Sequence, residues 1–288
     1  MKSTETIRNL EASPARNHAR RIFDRMDRYI VRLSKSLEPG NVHHFRTNSR
    51  RVEVFIDHLA PDSRHKKKTL KLLSKLRKRA GKVRDIDVHI KFLKNLKLHD
   101  RHNQRTRLQE TLTQEHARRS RKLAKAADAD TLKDLRKRLR REQGEMKLEG
   151  IDPVRLAITS LPRPGEVLVS EKLLHSCRIV AKQARYLAEL GGETPEAQFV
   201  VDELKRAQDA IGEWHDISKL KTRAEKRFGG ASESPLVSLL QNLSRARLRS
   251  AGNALTHALT NISSSASARE SMGRKPTVSH VEIKTAAA

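Results

Sequence analysis

The chain has 288 residues, of which 61 are Lys or Arg and 34 are Asp or Glu, and its formal net charge is +27. A charge of this size attracts anionic partners, and nucleic acid, anionic membrane surfaces and polyphosphates all qualify. Aromatic residues make up only 3% of the chain, which argues against RNA recognition by base stacking on aromatic side chains.

Cysteine usage and hydropathy indicate the compartment. The single cysteine, Cys177, excludes an internal disulfide framework and fits a reducing environment. The N-terminal segment has no apolar stretch typical of a secretion signal. No apolar run approaches the roughly 18 residues of a membrane span. We therefore expect a cytoplasmic protein without a membrane span.

Strong helix formers fill the first half, and Pro and Gly mark its predicted helix ends. Pro39-Gly40-Asn41 predicts the end of a first helix and the start of a second. Pro61-Asp62-Ser63 predicts the boundary between the second and the third. Gly81 is expected to end the third helix, and Asp85 to cap the N-terminus of a fourth. Polar helices are expected to continue to about residue 142.

The second half repeats this helical character after a proline-rich link. Residues 150–165 contain three prolines and are predicted to join the halves. The helices that follow are expected to break at Gly191-Gly192, Gly212 and Gly229-Gly230. We predict an all-α domain over residues 1–262, with halves at about 5–145 and 150–262, and a disordered tail over residues 263–288.

Two motifs occur in the same order in both halves. The pattern H-x-x-R-x-x-x-R/K begins at His43 and again at His175, and the pattern G-x-x-x-D-I begins at Gly81 and again at Gly212. The motifs are 38 residues apart in the first half (43 to 81) and 37 in the second (175 to 212). This agreement indicates an internal duplication. We expect two pseudo-symmetric antiparallel helical bundles.

The first motif places basic side chains on one face of a helix. At about 100° per residue, His43, Arg46 and Arg50 fall within about 60° of one another, opposite the apolar residues. The corresponding residues of the second half share an arc of about 80°: His175, Arg178, Lys182 and Arg185. If the two helices face each other, these faces line a groove suited to a linear polyanion. Alternatively, Glu53 and Asp57 pair with the arginines on an ordinary solvated face.

Four segments resemble, in order, the signature segments of the CHAD family, the conserved histidine α-helical domain: VHHFRTNSRRVEVFIDHL, KVRDIDVHI, LHSCRIVAKQARYLAEL and IGEWHDI. The resemblance covers roughly residues 5 to 260. It implies two pseudo-symmetric four-helix bundles around a basic channel that binds inorganic polyphosphate. Two positions depart from the family pattern: Ala80 stands where Leu is usual, and His215 stands where the first repeat has Arg84. The binding residues that the resemblance implies are His43, Arg46, Arg50, Arg51, Arg84, His175, Arg178, Lys182 and Arg185.

The sequence also indicates whether the protein is an enzyme or a binding module. The chain lacks the glycine-rich phosphate loop and the alternating carboxylates that hydrolysis of a phosphoanhydride would need. Asp85 and Asp87 are interpreted as helix-terminal residues rather than metal ligands. We therefore expect a non-enzymatic polyphosphate-binding module without metal or cofactor, and association with polyphosphate granules is compatible with this function. The alternative is a nucleic-acid-binding or nucleoid-associated protein that uses the same bulk charge. The oligomeric state is left open.

Overall fold

Helices account for all the regular structure in the described part of the chain. The computed structural model describes residues 14–98, 103–164 and 171–273, with side chains to residue 267. The first half contains α1 (Pro14–Lys35), α2 (Pro39–Leu59), α3 (Arg64–Asn95), α4 (Gln104–Ala126) and α5 (Ala129–Glu145). The second contains α6 (Pro153–Thr159), α7 (Glu171–Glu189), α8 (Pro195–Phe228) and α9 (Pro235–Gly273). The all-α prediction is confirmed.

The predicted boundaries of α2 are correct. Pro39 occupies the first turn of α2, where its missing N–H has no partner to lose. Ser63 caps α3, since its side chain accepts a hydrogen bond from the backbone N–H of Lys66 at 3.0 Å. The predicted boundaries at residues 39–41 and 61–63 therefore mark where α2 begins and where the chain passes from α2 to α3.

The predicted helix breaks at Gly81 and Gly212 are wrong, because α3 and α8 run through these residues without interruption. A glycine inside a helix costs only about 1 kcal/mol relative to alanine. Around Gly81 this cost is outweighed by the burial of Ala80, Val83 and Ile86, each 0% exposed. Asp85 consequently lies inside α3 and does not cap a helix.

Two further expectations need correction. The predicted link at residues 150–165 contains the short helix α6, which Asp152 caps through the backbone N–H groups of Val154 and Arg155. The disordered tail was expected to begin at residue 263, but α9 continues to Gly273. Residues 274–288 lie outside the described part. None of the described helices is long and apolar enough to cross a membrane.

The apolar faces of α2 and α7 pack as their periodicity predicts. On α2, Phe45, Val52 and Phe55 are each 0% exposed, and on α7 Ala184 and Leu187 are likewise 0% exposed. A largely aliphatic core joins residues of α1, α2, α3 and α5 to residues of α6, α7 and α8. The two predicted halves therefore share a core, and their pseudo-symmetry stays a prediction. This packing holds the polar faces of α2 and α7 next to each other.

Candidate functional site

A cavity of about 500 Å³ is lined by residues of α2, α3, α7 and α8. The polar faces of the two motif helices contribute to its lining. Five of the nine predicted binding residues line it: Arg46 and Arg50 from α2, and His175, Arg178 and Lys182 from α7. Side chains that are about 130 positions apart in the sequence thus line one cavity.

Three of these basic side chains lack an anionic partner within the described part of the chain. No ion pair or hydrogen bond involves the side chains of Arg50, Arg178 or Lys182 there, and the Nε atoms of both arginines are buried without an acceptor. Arg178 is only 8% exposed. A buried donor without an acceptor costs about 1–3 kcal/mol, and more when it is charged. An anion in the cavity would remove this cost.

Burial, and then the proximity of these cations to one another, lowers their pKa values. Burial and the charges of Arg178, Arg50 and Arg46 lower the pKa of Lys182 to about 6. Burial and the charge of Arg46 lower the pKa of Arg50 to about 10. Burial and Arg46 also lower the pKa of Arg178. Cations held together against their mutual repulsion are typical of an anion-binding site.

The long helices add residues to the cavity that sequence reasoning did not select. Arg77 of α3 and Lys219 and His215 of α8 line it. Each lies three to seven residues from a motif glycine or aspartate, on the same helical face. This periodicity could have found them if α3 and α8 had been predicted as continuous.

The carboxylates of α2 do not neutralise the unpartnered cations. Glu53 pairs with Arg77, whose Nε lies 2.6 Å from Glu53 Oε2. Asp57 contributes its backbone oxygen to Lys66 Nζ at 2.7 Å. The alternative in which Glu53 and Asp57 pair with Arg46, Arg50 and Arg51 is therefore wrong for the described structure.

Asp85 connects α3 to α2 and α8 through two cations that line the cavity. Its Oδ2 accepts a hydrogen bond from Lys219 Nζ at 2.9 Å, and its Oδ1 lies 3.6 Å from Nη2 of Arg46. Although burial opposes the shift, Lys219 and Arg46 lower the pKa of Asp85. Gly81 lies one helical turn earlier, and a Cβ there would be 3.3 Å from Nε of Arg46. Gly81 thus leaves room for Arg46 to cross α3.

Replacing the two motif glycines with alanine should have unequal effects on stability. Gly212→Ala is expected to raise the free energy of unfolding by about 1 kcal/mol, because a helical Gly is replaced where a Cβ meets nothing within 4 Å. Gly81→Ala should gain less, since Arg46 must move. Urea denaturation of both variants measures the difference, and equal gains would contradict the close approach of Arg46 to Gly81.

Arg51 and Arg185 lie outside the cavity lining, in a cluster around Tyr186 and Glu189. Arg51 Nε is 2.6 Å from Glu189 Oε2, and Arg185 Nε is 3.7 Å from Glu189 Oε1. Both guanidinium carbons lie 5.1 Å from the centre of the Tyr186 ring. Their role as ligand contacts stays a prediction, and the geometry favours a role in fixing Tyr186, which lines the cavity.

His43 and Arg84 also lie beside the cavity rather than in its lining. His43 makes an edge contact with His44 at 5.4 Å between ring centres. Burial, followed by the charges of Arg84, His44 and Arg46, lowers the pKa of His43. His43 and Arg84 thus extend the positive region beyond Arg46, and their contact with a ligand stays a prediction.

The second motif aspartate, Asp216, is likewise internal to its helix. Its backbone oxygen lies 3.1 Å from Nε2 of His89, joining α8 to α3. His89 is 1% exposed, and burial lowers its pKa to about 4. Burial and the charge of Asp85 raise the pKa of Asp216. Asp216, like Asp85, therefore lies inside its helix and does not cap one.

The chain is similar to proteins of one known family. The model of the CHAD domain matches residues 17–225. The crystal structure of the CHAD domain from the plant Ricinus communis is similar at 18% identity, with 84% of this chain and 90% of that chain covered and a TM-score of 0.61. The structure of PptA from Streptomyces chartreusis is similar at 14% identity, with 87% and 98% covered and a TM-score of 0.60.

A comparison with curated proteins gives no match. At these identities the two structures establish the fold, and the family assignment depends on the sequence match, which spans more than half of the chain. All four signature segments lie within the matched residues. The chain belongs to the CHAD domain family.

Proposed function

We propose that this protein binds inorganic polyphosphate in the cavity between α2 and α7 without cleaving it. The observation that carries the proposal is the set of three basic side chains, Arg50, Arg178 and Lys182, that face one cavity without an anionic partner in the described structure. Arginine forms forked hydrogen bonds with phosphate oxygens, and lysine adds a point charge. Membership of the CHAD family supports the same ligand.

The shape of the site favours a single flexible anionic chain over a nucleic acid duplex. The unpartnered cations lie inside the cavity, whereas a stiff duplex would reach mainly exposed cations. The aromatic side chains nearby offer little stacking surface, because Tyr186 and Trp214 are each 3% exposed. Nucleic acid remains the second candidate on the strength of the net charge of +27.

The proposal that the protein does not cleave its ligand follows from the charges of the site. Arg46, Arg50, Arg77, Arg178, Lys182 and Lys219 outnumber Glu53 and Asp57 in the lining. Such a site neutralises phosphates directly, so a divalent cation would compete for the same oxygens. A cytoplasmic location and an association with polyphosphate granules stay predictions.

Competition binding tests the function. Polyphosphate is expected to displace bound DNA and RNA, whereas excess nucleic acid should not displace polyphosphate. Binding should weaken steeply with salt, because the cations release counterions from the polymer.

Affinity in EDTA should equal or exceed affinity in Mg²⁺, and the polymer should keep its length after incubation with Mg²⁺ or Mn²⁺. Displacement in the reverse direction would favour the nucleic acid alternative, and metal-dependent shortening would overturn the non-enzymatic proposal.

A further inference from the structure

A second cavity adjoins the first. Its volume is about 460 Å³, and residues of α3, α4 and α8 line it. His215 and Lys219 line both cavities. Because Lys219 donates to Asp85 at 2.9 Å, an ion pair between α8 and α3 lies at the boundary between the two spaces.

The second cavity also carries an excess of cations. Lys82, Arg119, Lys219 and Arg223 line it, together with the carboxylates of Asp85 and Glu115. Glu115 alone pairs with two arginines: its Oε2 lies 2.6 Å from Nη1 of Arg223, and its Oε1 lies 3.1 Å from Nη2 of Arg119.

These pairs leave part of the positive charge available to a ligand. A guanidinium has five N–H donors, so both arginines keep donors after pairing with Glu115. Lys82 is exposed and has no ion-pair partner within the described residues. The shared carboxylate therefore positions the two guanidinium groups without cancelling the charge of the cavity.

We propose that the second cavity is a further polyphosphate subsite, reached only by chains long enough to pass Lys219, and that the Asp85–Lys219 ion pair separates it from the first. This inference rests on the proposed function. A short oligophosphate can occupy the first cavity and leave the pair intact. A longer chain must replace Asp85 as the partner of Lys219, and it then gains contacts with Lys82, Arg119 and Arg223.

Because it also contacts Arg46, Asp85 acts as a barrier rather than as a simple anchor for Lys219. Asp85 lies 3.6 Å from Arg46 as well as 2.9 Å from Lys219, so one carboxylate holds a cation from each of two other helices. A phosphate chain offers several charges along its length and can satisfy both cations together. Asp85 is thus an internal anion in the place that the extended ligand would take.

The test compares tripolyphosphate with a size-fractionated long chain in calorimetric titrations. Arg119→Gln and Lys82→Gln are each expected to weaken long-chain binding by about two- to fivefold, in the range of partly exposed charge pairs, with little effect on tripolyphosphate. Arg138→Gln is the matched control, because Arg138 is 31% exposed and pairs with Asp134 at i,i+4, as Arg119 is 28% exposed and pairs with Glu115 at i,i+4. Equal losses in Arg119→Gln and Arg138→Gln would show bulk charge and overturn the subsite.

Removing the barrier should have the opposite effect. Asp85→Asn is expected to raise the ratio of long-chain to tripolyphosphate affinity, whereas Asp134→Asn, with the same change in net charge, should leave the ratio unchanged. A lower ratio in Asp85→Asn would show that Asp85 positions the cations, and would overturn the barrier. Failure of the wild-type protein to bind either length would contradict the proposed function itself. The outcomes described for the variants would contradict only the subsite or the barrier.

Discussion

Replacing Arg178 with glutamine is expected to lower the affinity for long-chain polyphosphate by about ten- to hundredfold, in the range of hydrogen bonds to charged groups. Arg178 is 8% exposed, and its Nε has no acceptor in the described structure. In the described structure Arg178 therefore forms no ion pair or hydrogen bond that would compete with a ligand for its donors. Arg50→Gln should have a similar effect, because Arg50 presents the same unpartnered Nε from α2. Titration of each variant with polyphosphate measures the change.

The same substitutions should not destabilise the fold. Burial and the charge of Arg46 lower the pKa of Arg178, which shows that its charged form is disfavoured in the free protein. Removing the charge relieves this repulsion, so the midpoint of thermal unfolding should stay level or rise. Stability and affinity are thus expected to move in opposite directions, and a fall in both would indicate that Arg178 is structural.

Exposed lysines of α3 provide the charge-matched control. Lys67→Gln and Lys68→Gln each remove one positive charge from an exposed position and should change affinity little. Lys66 of the same run is unsuitable, because it is 6% exposed and donates to the backbone oxygens of Asp57 and Ala60. Equal losses from Lys67 and Arg178 would assign binding to bulk charge.

Helical periodicity was sufficient to predict the basic faces and to group part of the site. His175, Arg178 and Lys182 share a face of α7 because their spacing follows the helical repeat, and the apolar residues opposite them bind that helix to the core. The duplicated motif added the corresponding face of α2. These predictions depend only on local sequence. Five of the nine residues predicted to bind the ligand do line one cavity.

Contacts between distant helices could not be predicted in the same way. Arg51 belongs to the basic helix by sequence, yet Glu189, 138 positions later, pairs with it. Asp85 was assigned to a helix end because Gly81 was expected to stop α3. In the structure that glycine instead allows Arg46 to approach. Both errors arise because ion pairing and close packing depend on neighbours that local patterns do not identify.

Lys182 makes ligand binding sensitive to pH. Burial and the charges of Arg178, Arg50, Arg46 and Arg185 lower its pKa from 10.5 to about 6. Between these two pH values the unfolded chain binds more protons at this group than the folded protein does. By linkage, its contribution to the free energy of unfolding rises with pH across this window. A bound polyanion would favour the protonated form and raise the pKa of Lys182 again.

Polyphosphate binding is therefore expected to take up close to one proton per site at about pH 8, because Lys182 is mostly neutral in the free protein and becomes protonated in the complex. Affinity should fall as pH rises from about 7 to about 9, by up to about tenfold per unit. The measurement uses long polyphosphate chains, because in these the terminal phosphates contribute little to the proton uptake. In the free protein His215 is neutral throughout this range, because burial and the charges of Arg178 and Lys219 lower its pKa to about 3.

Calorimetric titrations in buffers of different ionisation enthalpy measure this proton uptake. Lys182→Met keeps an unbranched side chain, one atom shorter, and removes the titrating group, so proton uptake between about pH 7 and 9 should disappear and the affinity should lose most of its pH dependence. Arg178→Gln provides a second comparison: it removes the largest charge effect on Lys182, which should raise the pKa of the free lysine and reduce the uptake without abolishing it. Equal uptake in the wild type and Lys182→Met would show that another group titrates, and would remove Lys182 from the binding site.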